Sequence, residues 1–217
     1  MSMSDGGEKH IGRRAFLGLV VAGVAALLLG KEVVPRLPSS GGASEGTAGF
    51  RINTVAPGAA FDPATWRLTV DGLVRRPLEL TFDQFKDLPQ VTFTRDFVCV
   101  EGWGVEDVEW KGVSTREIMR QADIDPRATH LVFESSDGVY TDSLTLEEAM
   151  RPDSMLAYQV NGEFLPAKMG QPLRLILPGS YAYKNVKWVI RVEAIAAGPE
   201  GYQGYWEQRG YPADATI

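Results

Sequence analysis

The 217-residue sequence contains one cysteine, Cys99, and two histidines, His10 and His130. A single cysteine excludes any internal disulfide. Iron–sulfur clusters take about four Cys or His ligands, and heme b usually takes axial histidine; zinc sites take about four N or S ligands. None of these sets is present. A cysteine nucleophile needs a base such as histidine. His10 lies in an N-terminal segment that reads as an address, and His130 opens an expected strand and reads as a surface residue. Basic charge is also short: 22 Lys+Arg against 28 Asp+Glu give a net charge of −6, which argues against nucleic acid as a partner because phosphate neutralisation needs a basic face. No long hydrophobic run is present either. The uncharged stretch 15–30 has 16 residues, short of the ~20 that span a bilayer comfortably. There are no internal repeats.

What remains is the composition of an ordinary folded protein, 44% hydrophobic and 23% charged, long enough for one well-buried domain. Thirteen prolines and 23 glycines imply many turns and short elements.

The N-terminus carries its own signal. Arg13-Arg14 runs directly into Phe16-Leu17 and the uncharged stretch, the pattern of a twin-arginine export signal over residues 1–30. An uncleaved signal would serve as a membrane anchor through residues 15–30. Such export carries proteins already folded, suits a bulky cofactor loaded beforehand, and leads to a periplasmic or other extracytoplasmic location. There an unpartnered exposed thiol is a liability, whereas a metal-bound one is protected. Residues 31–49, Gly- and Ser-rich from 38 onward, read as a flexible linker. Residues 50–217 form the expected domain.

Within that domain short strands and helices are mixed. Strands are expected at 66–70, 91–100, 129–135, 156–160, 173–177 and 186–196, with a turn at Asp71-Gly72. Asn161-Gly162 signals a tight hairpin. Three short helices open on capping boxes, Thr81 with Gln84, Ser114 with Glu117 and Thr145 with Glu148, and the first should stop before Pro89. The sum is a strand-rich α+β domain.

Two features bear on chemistry. Cys99 is either a small buried hydrophobe or a single thiolate anchoring a soft metal whose other ligands come from an organic cofactor. The stretch 164–192 holds Lys168, Arg174, Lys184, Lys187 and Arg191 and no acid. It is either a solvated basic face or an anion site, with Arg suited to bidentate contacts and Lys to a point charge. Gly170 and Pro178-Gly179 would then let backbone N–H groups approach the ligand.

Four blocks carry a family resemblance. They are Phe97-Val98-Cys99-Val100-Glu101-Gly102-Trp103, Leu156-Ala157-Tyr158-Gln159-Val160-Asn161-Gly162, Pro172-Leu173-Arg174-Leu175-Ile176-Leu177-Pro178-Gly179 and Tyr183-Lys184-Asn185-Val186-Lys187-Trp188. In order and spacing they resemble the sulfite oxidase superfamily of molybdopterin oxidoreductases over residues 50–211, and especially its small bacterial exported members, such as the catalytic subunit of periplasmic methionine sulfoxide reductase. The resemblance implies a sulfite-oxidase-like fold and a molybdenum–molybdopterin cofactor. It makes Cys99 the metal's protein ligand. It gives cofactor contacts to Ser135, Arg174, Asn185, Val186 and Lys187. The arm Phe50-Arg51-Ile52-Asn53 resembles one that supplies a catalytic arginine, Arg51, and a pterin contact, Asn53. In Trp206-Glu207-Gln208-Arg209-Gly210-Tyr211, Tyr211 matches a tyrosine beside the metal. The implied activity is oxygen-atom transfer to or from a small oxyanion or sulfoxide. The chain has neither the heme domain nor the β-sandwich of animal-type relatives, which implies a separate electron-transfer partner, a cytochrome or membrane heme protein.

One position departs from the pattern. Met169 stands where relatives usually have His or Asn on the cofactor, and a thioether donates no hydrogen bond. It favours the alternative reading of a non-catalytic exported module that keeps the fold; Cys99, Arg51 and Tyr211 together favour the enzyme. Tyr202, Tyr205, Trp206 and Tyr211 form an aromatic cluster that also suits a redox-partner interface.

Overall fold

A computed structural model describes residues 49–198 and 201–217. The export-signal reading (1–30) and all but the last residue of the linker reading (31–49) fall outside the described residues. No helix among the described residues is long and apolar enough to cross a membrane.

Local chemistry sets the elements. β1 (Leu68–Gly72) and β2 (Leu78–Leu80) precede a short helix, Phe82–Lys86. Thr81 caps that helix, and Gln84 returns the bond to the Thr81 N–H. The helix ends at Asp87, before Pro89. β3 (Val91–Cys99) and β4 (Trp103–Ser114) form a long antiparallel hairpin, followed by the helix Thr115–Ala122. Ser114 caps this helix on one side only. The Glu117 carboxylate turns away to bind Arg120 and Gln121. β5 (His130–Ser135) and β6 (Thr141–Thr145) lead into the helix Leu146–Ala149, which has the full Thr145–Glu148 capping box. β7 (Met155–Val160) and β8 (Glu163–Phe164) close over Asn161-Gly162, both at positive φ (50° and 81°), as a two-residue hairpin turn requires. β9 (Arg174–Ile176) and β10 (Val189–Ile195) complete the strands.

The strands make two five-stranded sheets. One runs β2-β1-β10-β5-β6, antiparallel except for the β1–β10 pair. The other runs β3-β4-β7-β8, with β9 also pairing β7. Side chains alternate across a strand, and β7 is buried on both faces. Leu156 and Tyr158 enter a core shared with the first sheet and the helices, through Phe85, Ile118, Phe133 and Val189. Met155, Ala157 and Val160 enter a second core with Phe97, Trp110, Leu165 and Ile176. A strand between two cores is apolar at its buried positions, and in β7 the one polar residue, Gln159, is the one left partly exposed.

Three strands were not among those expected: β2, β4 and β6. β4, 12 residues long, is hidden because Glu106 and Asp107 interrupt its alternation. The pairing with β3 shifts between Arg95 and Phe97. Asp107 lies at φ 54° and gives its N–H to the Asp96 carboxylate. This bulge restores Val108 and Trp110 to the buried face.

Close packing between β4 and β7 hinges on Gly112. A Cβ there would lie 2.0 Å from the Leu156 carbonyl oxygen, a backbone atom with no room to move. Gly112→Ala is expected to lower stability by about 1–3 kcal/mol, read as a reduced urea midpoint. An unchanged midpoint would contradict this packing.

Candidate active site

The second sheet delivers Cys99 to the mouth of a cavity of about 500 Å³. Cys99 is the last paired residue of β3, opposite Trp103. The chain reverses just after it, through a Gly102 N–H donated to the Cys99 carbonyl and a positive φ of 81° at Gly102. The thiol is half-buried. Burial pushes its pKa up and the nearby Glu101 charge adds to this, while a Glu101 backbone hydrogen bond and the charges of Arg51 and Arg174 pull it down.

Three cations line the cavity, Arg51, Arg174 and Lys187. Arg174 opens β9 and is buried. One terminal nitrogen donates to the Met169 carbonyl at 3.2 Å, and its guanidinium carbon lies 4.8 Å from the Phe97 ring centre. Its Nε is buried with no partner among the described residues. Burial pushes Arg174 down to about 10, so it stays charged at neutral pH. Lys187 donates to the Asn53 carbonyl at 2.6 Å and lies 4.3 Å from the Trp188 ring. Burial, and then the charge of Arg174, push Lys187 down to about 8. Neither Arg174 nor Lys187 forms a salt bridge with a carboxylate among the described residues. Two carboxylates line the cavity as well, neither within salt-bridge distance of Arg174 or Lys187, although the Asp137 charge partly offsets the downward shift at Lys187. Glu101 accepts from Asn53 Nδ2 at 2.7 Å, and Asp137 accepts the N–H groups of Val139 and Tyr140.

The remaining walls come from distant segments. In residues 50–53 apolar and polar side chains alternate. Phe50 and Ile52 pack on the second core, with Phe50 5.2 Å from Phe97, while exposed Arg51 and Asn53 line the cavity. Ser135 ends β5, buried at the cavity wall. The Asn185 Oδ1 accepts from the Leu177 N–H at 2.8 Å, which leaves the amide NH₂ as its available donor. Tyr211 sits 4.9 Å from Trp206 and 5.4 Å from Tyr183, ring centre to ring centre, and all three line the cavity.

The expected site residues other than Val186 therefore line one cavity. Val186 does not reach the cavity. Its side chain lies wholly in the first core and its carbonyl accepts the Leu175 N–H, because it falls on the inward side between Asn185 and Lys187. The basic stretch 164–192 is not one anion site. Lys168 is exposed, Lys184 is bound to Asp142 and Glu207, and Arg191 bridges Asp71, Glu134 and Glu193. Only Arg174 and Lys187 face the cavity. Gly170 and Gly179 do not line it either. Gly170 instead admits the Lys187 backbone, since a Cβ there would lie 2.9 Å from the Lys187 Cβ. This close approach accompanies a strained backbone at Trp188, φ 53°, unusual for a bulky residue. Met169 is likewise inside the second core, and only its carbonyl serves the site, through Arg174. Its thioether is no argument against a working site.

Sequence reasoning missed Glu101, Asp137, Tyr140 and Tyr183 as lining residues. Glu101 stood within two residues of Cys99, and that proximity was the available signal.

This donor set fits an anionic cofactor that carries a soft metal. A thiol, a buried arginine and a half-buried lysine, neither in a salt bridge among the described residues, and an orphaned guanidinium nitrogen meet in one cavity. Burial of Lys187, reinforced by the Arg174 charge, makes the cofactor-free protein sensitive to pH. The folded pKa of Lys187 lies below its ordinary value of 10.5, so the unfolded chain binds the extra proton over the interval from about 8 to 10.5. Stability of the cofactor-free protein should rise with pH through that window and fall as pH drops through about 8. In Lys187→Met that dependence should vanish, and the variant should unfold at higher urea than the parent near neutral pH. Parallel pH profiles for the two proteins would refute the unpaired-cation reading.

Comparison with known proteins agrees with this geometry. Residues 54–206 match the family described as the oxidoreductase molybdopterin binding domain. The chain is 35% identical over 150 residues to the uncharacterized oxidoreductase YuiH of Bacillus subtilis, covering 69% of this chain and 74% of that one. It is 34% identical over 156 residues to the protein-methionine-sulfoxide reductase catalytic subunit MsrP of Gluconobacter oxydans, covering 64% of this chain and 50% of that protein. Among solved structures, the sulfane dehydrogenase SoxCD of Paracoccus pantotrophus superposes with a TM-score of 0.61 at 28% identity, covering 66% of this chain and 41% of that one. The chain thus spans three quarters of one of these relatives and about half or less of the others. With the strand-rich fold and the thiol-and-cation cavity, these matches establish that the chain belongs to the sulfite oxidase superfamily of molybdopterin-binding oxidoreductases.

Proposed function

We propose that this oxidoreductase is exported, holds molybdenum on its pterin through Cys99, and moves an oxygen atom to or from a small oxyanion or a sulfoxide. The observation that carries the reading is the meeting of the thiol with Arg174 and Lys187 in one cavity whose other polar walls are Arg51, Ser135, Asn185 and Tyr211. The relative named as a protein-methionine-sulfoxide reductase subunit supports the sulfoxide arm. The Arg13-Arg14 signal supports an extracytoplasmic site of action.

When bound, the cofactor supplies two-electron redox chemistry, and the protein's task is to hold, orient and tune it. Cys99 would give its thiolate to the metal, and Arg51 and Arg174 favour that ionised form. Arg174 and Lys187 would take the phosphate end, Arg174 offering its unpartnered Nε and Lys187 two further ammonium protons. The Asn185 NH₂ and the Ser135 hydroxyl would contact the pterin. The Asn53 side chain and carbonyl are bound to Glu101 and Lys187, so its part is to hold the arm as well as to contact the cofactor. Exposed Arg51 would meet the substrate's oxyanion or the charge that develops on a sulfoxide oxygen. The Tyr211 hydroxyl can donate to the same oxygen. The exposed arm and the aromatic wall leave the substrate side open, and electrons would pass to or from a separate redox partner such as a cytochrome or membrane heme protein.

Elemental analysis of protein purified after native export tests the reading. It predicts about one molybdenum per chain, with turnover of sulfite or methionine sulfoxide by the loaded protein. Metal far below one per chain in correctly exported protein would refute it.

A further inference from the structure

A buried charge cluster behind the aromatic wall has no part in the chemistry described so far. The Lys184 Nζ lies 2.5 Å from Asp142 Oδ1 and 2.8 Å from Glu207 Oε1, and all three side chains are 4% exposed or less. Asp142 is on β6, Lys184 on the 3-10 turn Ala182–Lys184, and Glu207 on the turn Glu207–Arg209. The second oxygens of Asp142 and Glu207 are both buried without a partner among the described residues.

As a source of stability this cluster is poor. One cation faces two carboxylates, so full ionisation leaves a net negative charge in the interior. Burial, together with the Glu207 charge, pushes the Asp142 pKa up against the pull of Lys184. Burial opposes the charge on Lys184 too, but the two carboxylates outweigh it and its pKa is raised. Buried ion clusters are often replaceable by neutral groups with no loss of stability, and their best-attested use is to fix register.

The surroundings indicate what is registered. The segment 201–211 forms no strand. It reaches β6 through the Tyr205 N–H to the Thr141 carbonyl at 2.8 Å and the Tyr202 hydroxyl to Thr141 Oγ1 at 2.9 Å. It lies so close that a Cβ on Gly204 would meet the Thr141 carbonyl at 2.8 Å. On its other side the Tyr183 hydroxyl donates to the Pro212 carbonyl at 2.8 Å. This segment carries Trp206 and Tyr211, and the Lys184 turn continues into Asn185 and Lys187. Both stretches line the cavity.

We infer that Lys184 is a positioning residue: by binding Asp142 and Glu207 together it sets the Trp206–Tyr211 wall against the Asn185–Lys187 side of the cavity, and so fixes the width of the substrate side. The inference rests on the proposed function only in treating that wall as the substrate side. The register itself can be tested without turnover.

The test uses the full exported chain and hydrogen exchange read by mass spectrometry. Lys184→Met alone strands two buried carboxylates and can unfold the protein, so the deciding variant is the neutral triple replacement Asp142→Asn, Lys184→Met, Glu207→Gln. Its melting temperature should stay near the parent's. Its amides at 201–211 should exchange at least about tenfold faster, the equivalent of 1.4 kcal/mol of local opening, while those of β1 and β10 stay unchanged. Glu207→Gln alone keeps an acceptor for Lys184 and should leave exchange at the parent's rate. In metal-loaded protein the triple variant should raise KM for sulfite or methionine sulfoxide more than it lowers kcat. Parental exchange at 201–211 in the triple variant, or acceleration spread evenly over the protein, would overturn the inference. Absence of molybdenum would count against the proposed function and leave the exchange result standing.

Discussion

Two cations without carboxylate partners among the described residues, Arg174 and Lys187, share a partly buried cavity with the one thiol of the chain. Like charges brought out of water repel more strongly than they would in solvent, and among the described residues no carboxylate is in salt-bridge contact with either, although the Asp137 charge partly offsets the shift at Lys187. Such an arrangement persists when its partner is a ligand. The rest of the structure serves to hold this pair. Arg174 is fixed by the Met169 carbonyl and the Phe97 ring, and Lys187 by the Asn53 carbonyl, the Trp188 ring and the bare backbone of Gly170.

The fold explains how residues far apart in sequence meet. β7 lies between two cores and is the rigid plate on which β4 and β9 are laid. β4 carries β3 and hence Cys99 at the rim, and β9 begins with Arg174 beside it. The 50–53 arm is pinned by Phe50 to the second core and so presents Arg51. The far wall is held by a strandless segment tied to β6. The cavity is thus supported by rigid strands on one side and by a tethered segment on the other, and side chains on strands are the more precisely held.

Much of this was legible before any coordinates. Thr81 and Thr145 announced helix starts, Asn161-Gly162 announced the hairpin, and the scarcity of Cys and His left Cys99 few roles. Tertiary placement was not legible. Val186 and Lys187 are neighbours in sequence, yet one is core and the other lines the cavity, and only the register of the chain beside Gly170 decides which. The five basic residues from 168 to 191 look alike in sequence. Long-range carboxylates, Asp142 and Glu207 for Lys184 and Asp71 with Glu134 for Arg191, take two of them away from the site. β4 was hidden for a similar reason: its bulge at Asp107 breaks the alternation that periodicity depends on.

The account stands or falls on a bond between the Cys99 sulfur and the metal. X-ray absorption at the molybdenum edge, on exported protein and on its Cys99→Ser variant, reads that bond directly. The account predicts that the number of sulfur atoms bound to molybdenum falls by one in the variant. An unchanged sulfur count in a variant that still holds its metal would contradict it.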